Sequence, residues 1–136
     1  IILIQIVNLI RFLLKNSKII DRSQKIYVGI DIEKISKIKR LLKSSESSLE
    51  KIFTKNELKL TTLQIAGNFA AKEATIKAFS PIKKLHFNQI EILRDLKGRP
   101  FINILCSELA TEKFSIDVSI SNTEEIVIAT LILKEI

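Results

Sequence analysis

The stretch "NFAAKEATIKAF" (residues 68–79) decides how this chain is read. Its alanines, phenylalanines and isoleucine suit a packed helix, yet Lys72, Glu73 and Lys77 stand inside its most apolar run. The helical pattern extends back to about residue 62, and Pro81 stops it. At about 100° per residue, Ile65, Phe69, Ile76 and Phe79 fall on one stripe, the expected core face. Glu73 and Lys77 share another face at i,i+4, flanked by Ala66 and Ala70, whose small side chains would leave space for close approach. Lys72 lies near the core stripe, so its stem is expected to pack while its head snorkels out. A Glu–Lys pair at i,i+4 is by itself the ordinary ion pair of a solvated helix. A chemical reading needs a further partner.

Asp31 is the candidate. "IYVGIDI" is a short β-rich run that ends on this carboxylate, with Gly29 permitting close backbone approach. A strand-end Asp and a helix Glu are the oxygen ligands Mg²⁺ takes, commonly one or two carboxylates with water and substrate phosphates filling the rest. A lysine one turn beyond the Glu would neutralise phosphate charge. Asp31, Glu73 and Lys77 together predict metal-assisted phosphoryl chemistry, provided the fold brings them together.

The rest of the chain predicts an α+β fold. "EKISKIKRLLK" is a short basic helix with apolar residues at 35, 38, 41 and 42. Thr54 and Glu57 in "TKNE" have the spacing of a capping box before the long helix. "FNQIEILRD" and "RPFINIL" are strands joined at "LKGRP", with Gly98 in the turn. "SELATEKF" reads as a short helix. "IDVSISN" and "EIVIATLIL" are two more strands meeting near Thr123. The expected architecture is a mostly antiparallel sheet packed with one long helix and several short ones.

Charge and composition narrow the function. Apolar residues make up 46% of the 136, enough for one packed domain. Residues 1–25 hold five Lys/Arg against one Asp, while residues 26–136 hold 17 against 14. That near-balance, the few aromatics and the lack of a recognised motif argue against nucleic-acid binding. The single Cys106 and single His86 argue against a zinc site, and Cys106 reads as a small buried hydrophobe. Residues 1–14, "IILIQIVNLIRFLL", are fewer than the roughly 20 a membrane span needs. With Gln5, Asn8, Arg11 and Lys15 on one face they predict an amphipathic helix. Packing on a partner subunit, touching a membrane surface and serving as a targeting extension are all compatible with it. "KNSKIIDRSQK" follows as a linker, so residues 1–25 form an N-terminal extension and residues 26–136 the domain.

The motifs "GIDIEKISKI", "LEKIFTKNEL", "AGNFAAKEATIKAF", "IEILRDLKGRP" and "VSISN", in this order, resemble the holo-acyl-carrier-protein synthases, the bacterial-type 4′-phosphopantetheinyl transferases. The resemblance covers about residues 26–136. It implies transfer of the phosphopantetheine arm of coenzyme A to a serine of apo acyl carrier protein, releasing 3′,5′-ADP. It implies Mg²⁺ held by Asp31 and Glu73, with Lys77 on the phosphates, stabilising or protonating the leaving group. Because the nucleophile belongs to the carrier protein, no Ser/His or Cys/His arrangement is required here. Lys34, Lys37, Lys39, Arg40 and Lys43 make a basic helix that can be a solvated face or, beside the metal, a dock for an acidic carrier protein. By resemblance, Lys37 and Arg40 are the expected contacts.

The resemblance also implies a homotrimer with active sites at subunit boundaries, in the service of fatty acid biosynthesis. Its address is the cytoplasm, with an organelle of bacterial origin as the alternative. Gly98, Pro100 and the "SISN" strand end are candidates for the coenzyme pocket, although Gly98 and Pro100 serve a plain hairpin equally well. Two positions depart from the family: Asn68 stands where an arginine usually precedes "FAAKEA", and Asn122 where a histidine usually ends the strand. Both belong to the expected coenzyme-binding set, and asparagine hydrogen-bonds without carrying charge. They motivate one alternative, a non-catalytic homologue that binds carrier protein or coenzyme A.

Overall fold

Alternation along β1 (Ile26–Lys34) sets the layers of the molecule. Tyr27, Gly29, Asp31 and Glu33 turn inward, while Ile26, Val28, Ile30 and Ile32 turn outward and are 53% to 63% exposed. In most half-buried strands the apolar row faces the core; here the inner row carries the polar groups. The computed structural model describes residues 1–16 and 24–136. It contains α1 (Ile2–Asn16), β1, α2 (Ile35–Leu41), α3 (Glu46–Leu49), α4 (Thr62–Phe79), β2 (Ile90–Arg94), β3 (Pro100–Ile104), β4 (Phe114–Asn122) and β5 (Ile126–Glu135). β1, β5 and β4 form one antiparallel sheet in that order, and β2 pairs with β3 in a separate hairpin. The hairpin lies against β4 through β3, so β1 and the hairpin occupy opposite sides of the sheet.

α4 crosses the inner face of β1 and β5 and organises the core. Thr61 caps it: its Oγ1 accepts from the Gln64 N–H at 3.3 Å, and Gln64 Oε1 accepts from the Thr61 N–H at 3.1 Å. Thr54 and Glu57 make the same reciprocal bonds, at 3.3 and 3.2 Å, but these close the turn leading into a 3₁₀ segment, Glu57–Lys59, rather than starting α4. Ile65, Phe69 and Phe79 are buried as expected, and Ile76 is half-buried. The alanine side is the tighter interface. Ala66, Ala70, Ala71 and Ala74 are fully buried, so the space expected beside Glu73 is taken up within the chain's own core. Gly29 permits this: a Cβ there would lie 1.8 Å from the Ala74 carbonyl oxygen.

The hairpin turn has Gly98 at φ +81°, a conformation that suits glycine. Asp95 Oδ1 accepts from the Lys97 and Arg99 N–H groups at 2.8 and 2.9 Å and fixes the turn. The helix expected over "SELATEKF" is reduced to a 3₁₀ turn, Thr111–Lys113, because Phe114 is drawn into β4 opposite Glu135 and too few residues remain to nucleate a helix. Cys106 is buried, as its apolar setting predicts. The expected linker lies largely outside the described residues. Every side chain described in α1 is exposed, and no helix among the described residues is long and apolar enough to cross a membrane.

Candidate active site

β1 delivers Asp31 to the face of α4 that carries Glu73 and Lys77. Lys77 Nζ donates to Asp31 Oδ1 at 3.0 Å and to the Ile30 carbonyl at 2.8 Å. Asp31 is nearly buried, with 10% of its side chain exposed, whereas the Lys77 side chain is 52% exposed. The ammonium is therefore anchored at the strand yet open to an incoming anion. Glu73 is close enough to feel both: burial, then the Asp31 charge, raises its carboxyl pKa, and the Lys77 ammonium pulls it back down. The structure thus joins the three residues that the sequence could only list. Asp31 Oδ2 is buried without a hydrogen-bond partner among the described residues. A lone pair withheld from solvent beside a second carboxylate is where a hard cation gains most. Among the described residues no group of three or more His, Cys, Asp or Glu converges as a closed metal cage.

Glu33 belongs to this neighbourhood and was not singled out in the sequence. It follows Asp31 by two along β1, hence on the same inner row, and its charge also raises the Glu73 pKa. Lys37 holds it, Nζ to Oε2 at 2.9 Å, with Glu33 11% and Lys37 54% exposed. The i,i+2 alternation could have found Glu33, since Asp31 and Glu33 share a strand face.

Beside Glu73 opens a groove of about 480 Å³. Leu41, Ile52, Phe69 and Phe87 give it apolar walls, and Lys37 and Arg40 supply its cationic rim. Lys37 Nζ lies 5.4 Å from the centre of the Phe69 ring. The basic helix is thus not merely solvated: two of its cations border the same depression as the Glu73 carboxylate.

Lys72 is a different matter, and its expected snorkelling is overturned. It is fully buried, 2.7 Å from Glu57 Oε1, and donates to the Ile52 carbonyl at 2.6 Å and the Phe87 carbonyl at 3.4 Å. Burial lowers its pKa, and the hydrogen bond and charge of Glu57 oppose that. The sequence hid this because Glu57 sits on a preceding turn, outside any helical spacing.

Asn68 is also fully buried. Its Nδ2 donates to Glu57 Oε2 at 3.3 Å, and its Oδ1 accepts from Arg94 Nη2 at 3.0 Å. Gly98 and Pro100 are in the hairpin, across the sheet from β1, so one chain does not bring them to Asp31. Asn122 ends β4 beside Val127, which in turn pairs with Glu33; it is exposed and bonded to the Thr123 carbonyl at 3.2 Å. The candidate residues therefore fall into two groups, a carboxylate–lysine centre at β1 and a hairpin group containing Asn68, Gly98 and Pro100.

Comparison with known proteins gives these groups a context. Residues 27–131 match the model of the 4′-phosphopantetheinyl transferase superfamily. The holo-[acyl-carrier-protein] synthase of Clostridium beijerinckii is 36% identical over 119 residues, covering 80% of this chain and 97% of that protein. That of Lachnoclostridium phytofermentans is 40% identical over 117 residues, 77% and 92% of the two chains. Among solved structures, the Helicobacter pylori holo-[acyl-carrier-protein] synthase in complex with coenzyme A superposes with a TM-score of 0.69 at 32% identity, covering 78% of this chain and 98% of that one.

Proposed function

This chain belongs to the 4′-phosphopantetheinyl transferase superfamily, and we propose that Asp31, Glu73 and Lys77 form the centre at which it transfers phosphopantetheine from coenzyme A to a serine of apo acyl carrier protein. The observation that carries this reading is the Asp31–Lys77 ion pair beside Glu73, with Asp31 Oδ2 buried and unpartnered among the described residues and the Lys77 side chain half exposed. Asp31 and Glu73 would hold Mg²⁺, which when bound withdraws charge from the pyrophosphate. Lys77 faces the same space with its ammonium fixed by Ile30 and Asp31, so it meets a phosphate oxygen without reorganising. It also has protons to give to the departing 3′,5′-ADP. The carrier protein brings the serine nucleophile, and orientation does the rest.

The groove rimmed by Lys37 and Arg40 suits the acidic carrier protein. Its apolar walls accept an amphipathic helix while its cations set the orientation. Assembly completes the site. The outward row Ile26, Val28, Ile30 and Ile32 joins Ile132, 50% exposed and opposite Val28, in an apolar sheet face of the kind that subunits bury. Association through that face supports the homotrimer expected for this family, and a neighbouring copy's hairpin would supply the coenzyme-binding group that one chain holds apart from Asp31. No observation favours the non-catalytic alternative.

The test is mass spectrometry of apo acyl carrier protein after incubation with this chain, coenzyme A and Mg²⁺. The expected result is the gain of one phosphopantetheine, blocked by EDTA and reduced at least ~10²-fold by Glu73→Gln. Full transfer by Glu73→Gln in folded form would sink the assignment.

A further inference from the structure

Glu33 stands beside the carboxylate–lysine centre without belonging to it. It follows Asp31 by two on the inner row of β1, about 7 Å along the strand. Its side chain is only 11% exposed, and its one ion pair among the described residues is with Lys37, Nζ to Oε2 at 2.9 Å. A sheltered carboxylate without a cation is costly, so Lys37 is what keeps Glu33 charged at low cost.

Lys37 has a second side to serve. It borders the groove that Glu73 and Arg40 also line, with 54% of its side chain exposed and its Nζ 5.4 Å from the centre of the Phe69 ring. One ammonium therefore neutralises a carboxylate next to Asp31 and faces any acidic surface that enters the groove. Both members of the pair reach Glu73: beyond burial and the Asp31 charge, Glu33 raises its pKa and Lys37 lowers it. While Lys37 rests on Glu33 the two charges oppose each other at the centre. Drawn outward, Lys37 would leave the field of Glu33 uncompensated there.

Resting on the transferase reading, we propose that Glu33 is a positioning residue that couples carrier docking to metal capture: an acidic side chain of the carrier protein takes Lys37, and the released Glu33 carboxylate strengthens the hold of Asp31 and Glu73 on Mg²⁺. Glu33 acts through its charge, without touching the ion. Linkage makes the effect mutual, so Mg²⁺ tightens carrier binding by the same factor. The cation is then held best when the serine nucleophile is at hand.

Isothermal titration of the full chain with Mg²⁺, with and without saturating apo carrier protein and with no coenzyme A, reads this coupling while no transfer takes place. Carrier protein alone serves as the blank. Wild-type affinity for Mg²⁺ is expected to rise roughly 5-fold or more when carrier is bound. Lys37→Met, which frees Glu33 permanently, is expected to show the raised affinity in the absence of carrier, and Lys37→Met/Glu33→Gln to return to the wild-type value. A pair that merely tied β1 to α2 would not give this pattern. Should Lys37→Met fail to fold, titration of the wild type and Glu33→Gln with carrier, in Mg²⁺ and in EDTA, carries the test: the same factor is expected in the wild type and none in Glu33→Gln. Mg²⁺ and carrier that bind without affecting each other, or a coupling that survives Glu33→Gln, overturn the proposal and leave the transferase reading intact. A folded wild type that binds no Mg²⁺, or no carrier, fails that reading and the coupling with it.

Discussion

Lys72 and Glu73 are adjacent in the chain, yet replacing them should have opposite consequences. Lys72→Met keeps the packed stem and removes the ammonium. Among the described residues Glu57, 1% exposed, then retains only the Asn68 amide and the Thr54 N–H, and the Ile52 and Phe87 carbonyls lose a donor. Removing one partner of a buried pair costs about 3–5 kcal/mol, against a total stability of about 5–15 kcal/mol for a domain. For a chain of this size that is a fall in Tm of roughly 10–20 °C. Adding Glu57→Gln removes the stranded charge and should return most of the loss. Thermal and urea unfolding followed by circular dichroism measure both variants, with transfer assayed at a temperature where Lys72→Met is folded. There its kcat should stay near that of the wild type, because Lys72 is turned to the Glu57 turn and away from Asp31. Glu73→Gln should show the reverse, with Tm maintained and transfer lost. A loss below about 1 kcal/mol in Lys72→Met, or a folded but inactive Lys72→Met, would refute the division of roles.

Other outcomes follow from the same geometry. Burial and the Asp31 charge raise the Glu73 pKa, so the folded chain without metal binds this proton more tightly than the unfolded one; stability in EDTA should rise as the pH falls through the raised pKa, and Glu73→Gln should remove the effect. Protons and Mg²⁺ compete for Glu73, so calorimetric Mg²⁺ affinity should weaken over the same interval. Charge reversal at Lys37 and Arg40 should raise KM for carrier protein at least ~10-fold and flatten its salt dependence, with KM for coenzyme A unchanged in steady-state kinetics. Ile30→Lys places a charge in the outer sheet face and should give a smaller species in sedimentation, with transfer lost even though Asp31, Glu73 and Lys77 are intact.

Much of the fold was legible because local rules agreed with it. Pro81 and the helical period bound α4, and the β-rich run "IYVGIDI" placed Asp31 on β1, although the strand continues past it to Lys34 and turns its polar row inward. The face of α4 was harder to read. Large apolar residues mark a stripe, but a helix lying tightly on a sheet buries its alanines most completely, so Ala66 and Ala70 looked like room for a ligand. The pairings of Lys72 with Glu57 and of Arg94 with Asn68 join separate elements, and no spacing rule reports them. Glu33 opens the run "EKISKIKRLLK", whose helical period begins only at Ile35; it lies instead on β1, two residues beyond Asp31.

The glycine at position 29 makes the distance between two carboxylates a property of backbone contact. Asp31 stands two residues along β1 from the point where Gly29 meets the Ala74 carbonyl, and Glu73 precedes Ala74 by one. Strand and helix are thus clamped beside the residues they present. Gly29→Ala would wedge them apart at the clamp, and the two acidic groups would separate by whatever the backbones yield. A lineage that kept Asp31, Glu73 and Lys77 but lost this glycine would hold every reacting side chain and still misplace them, so the least reactive residue in "VGID" sets the gauge for the others.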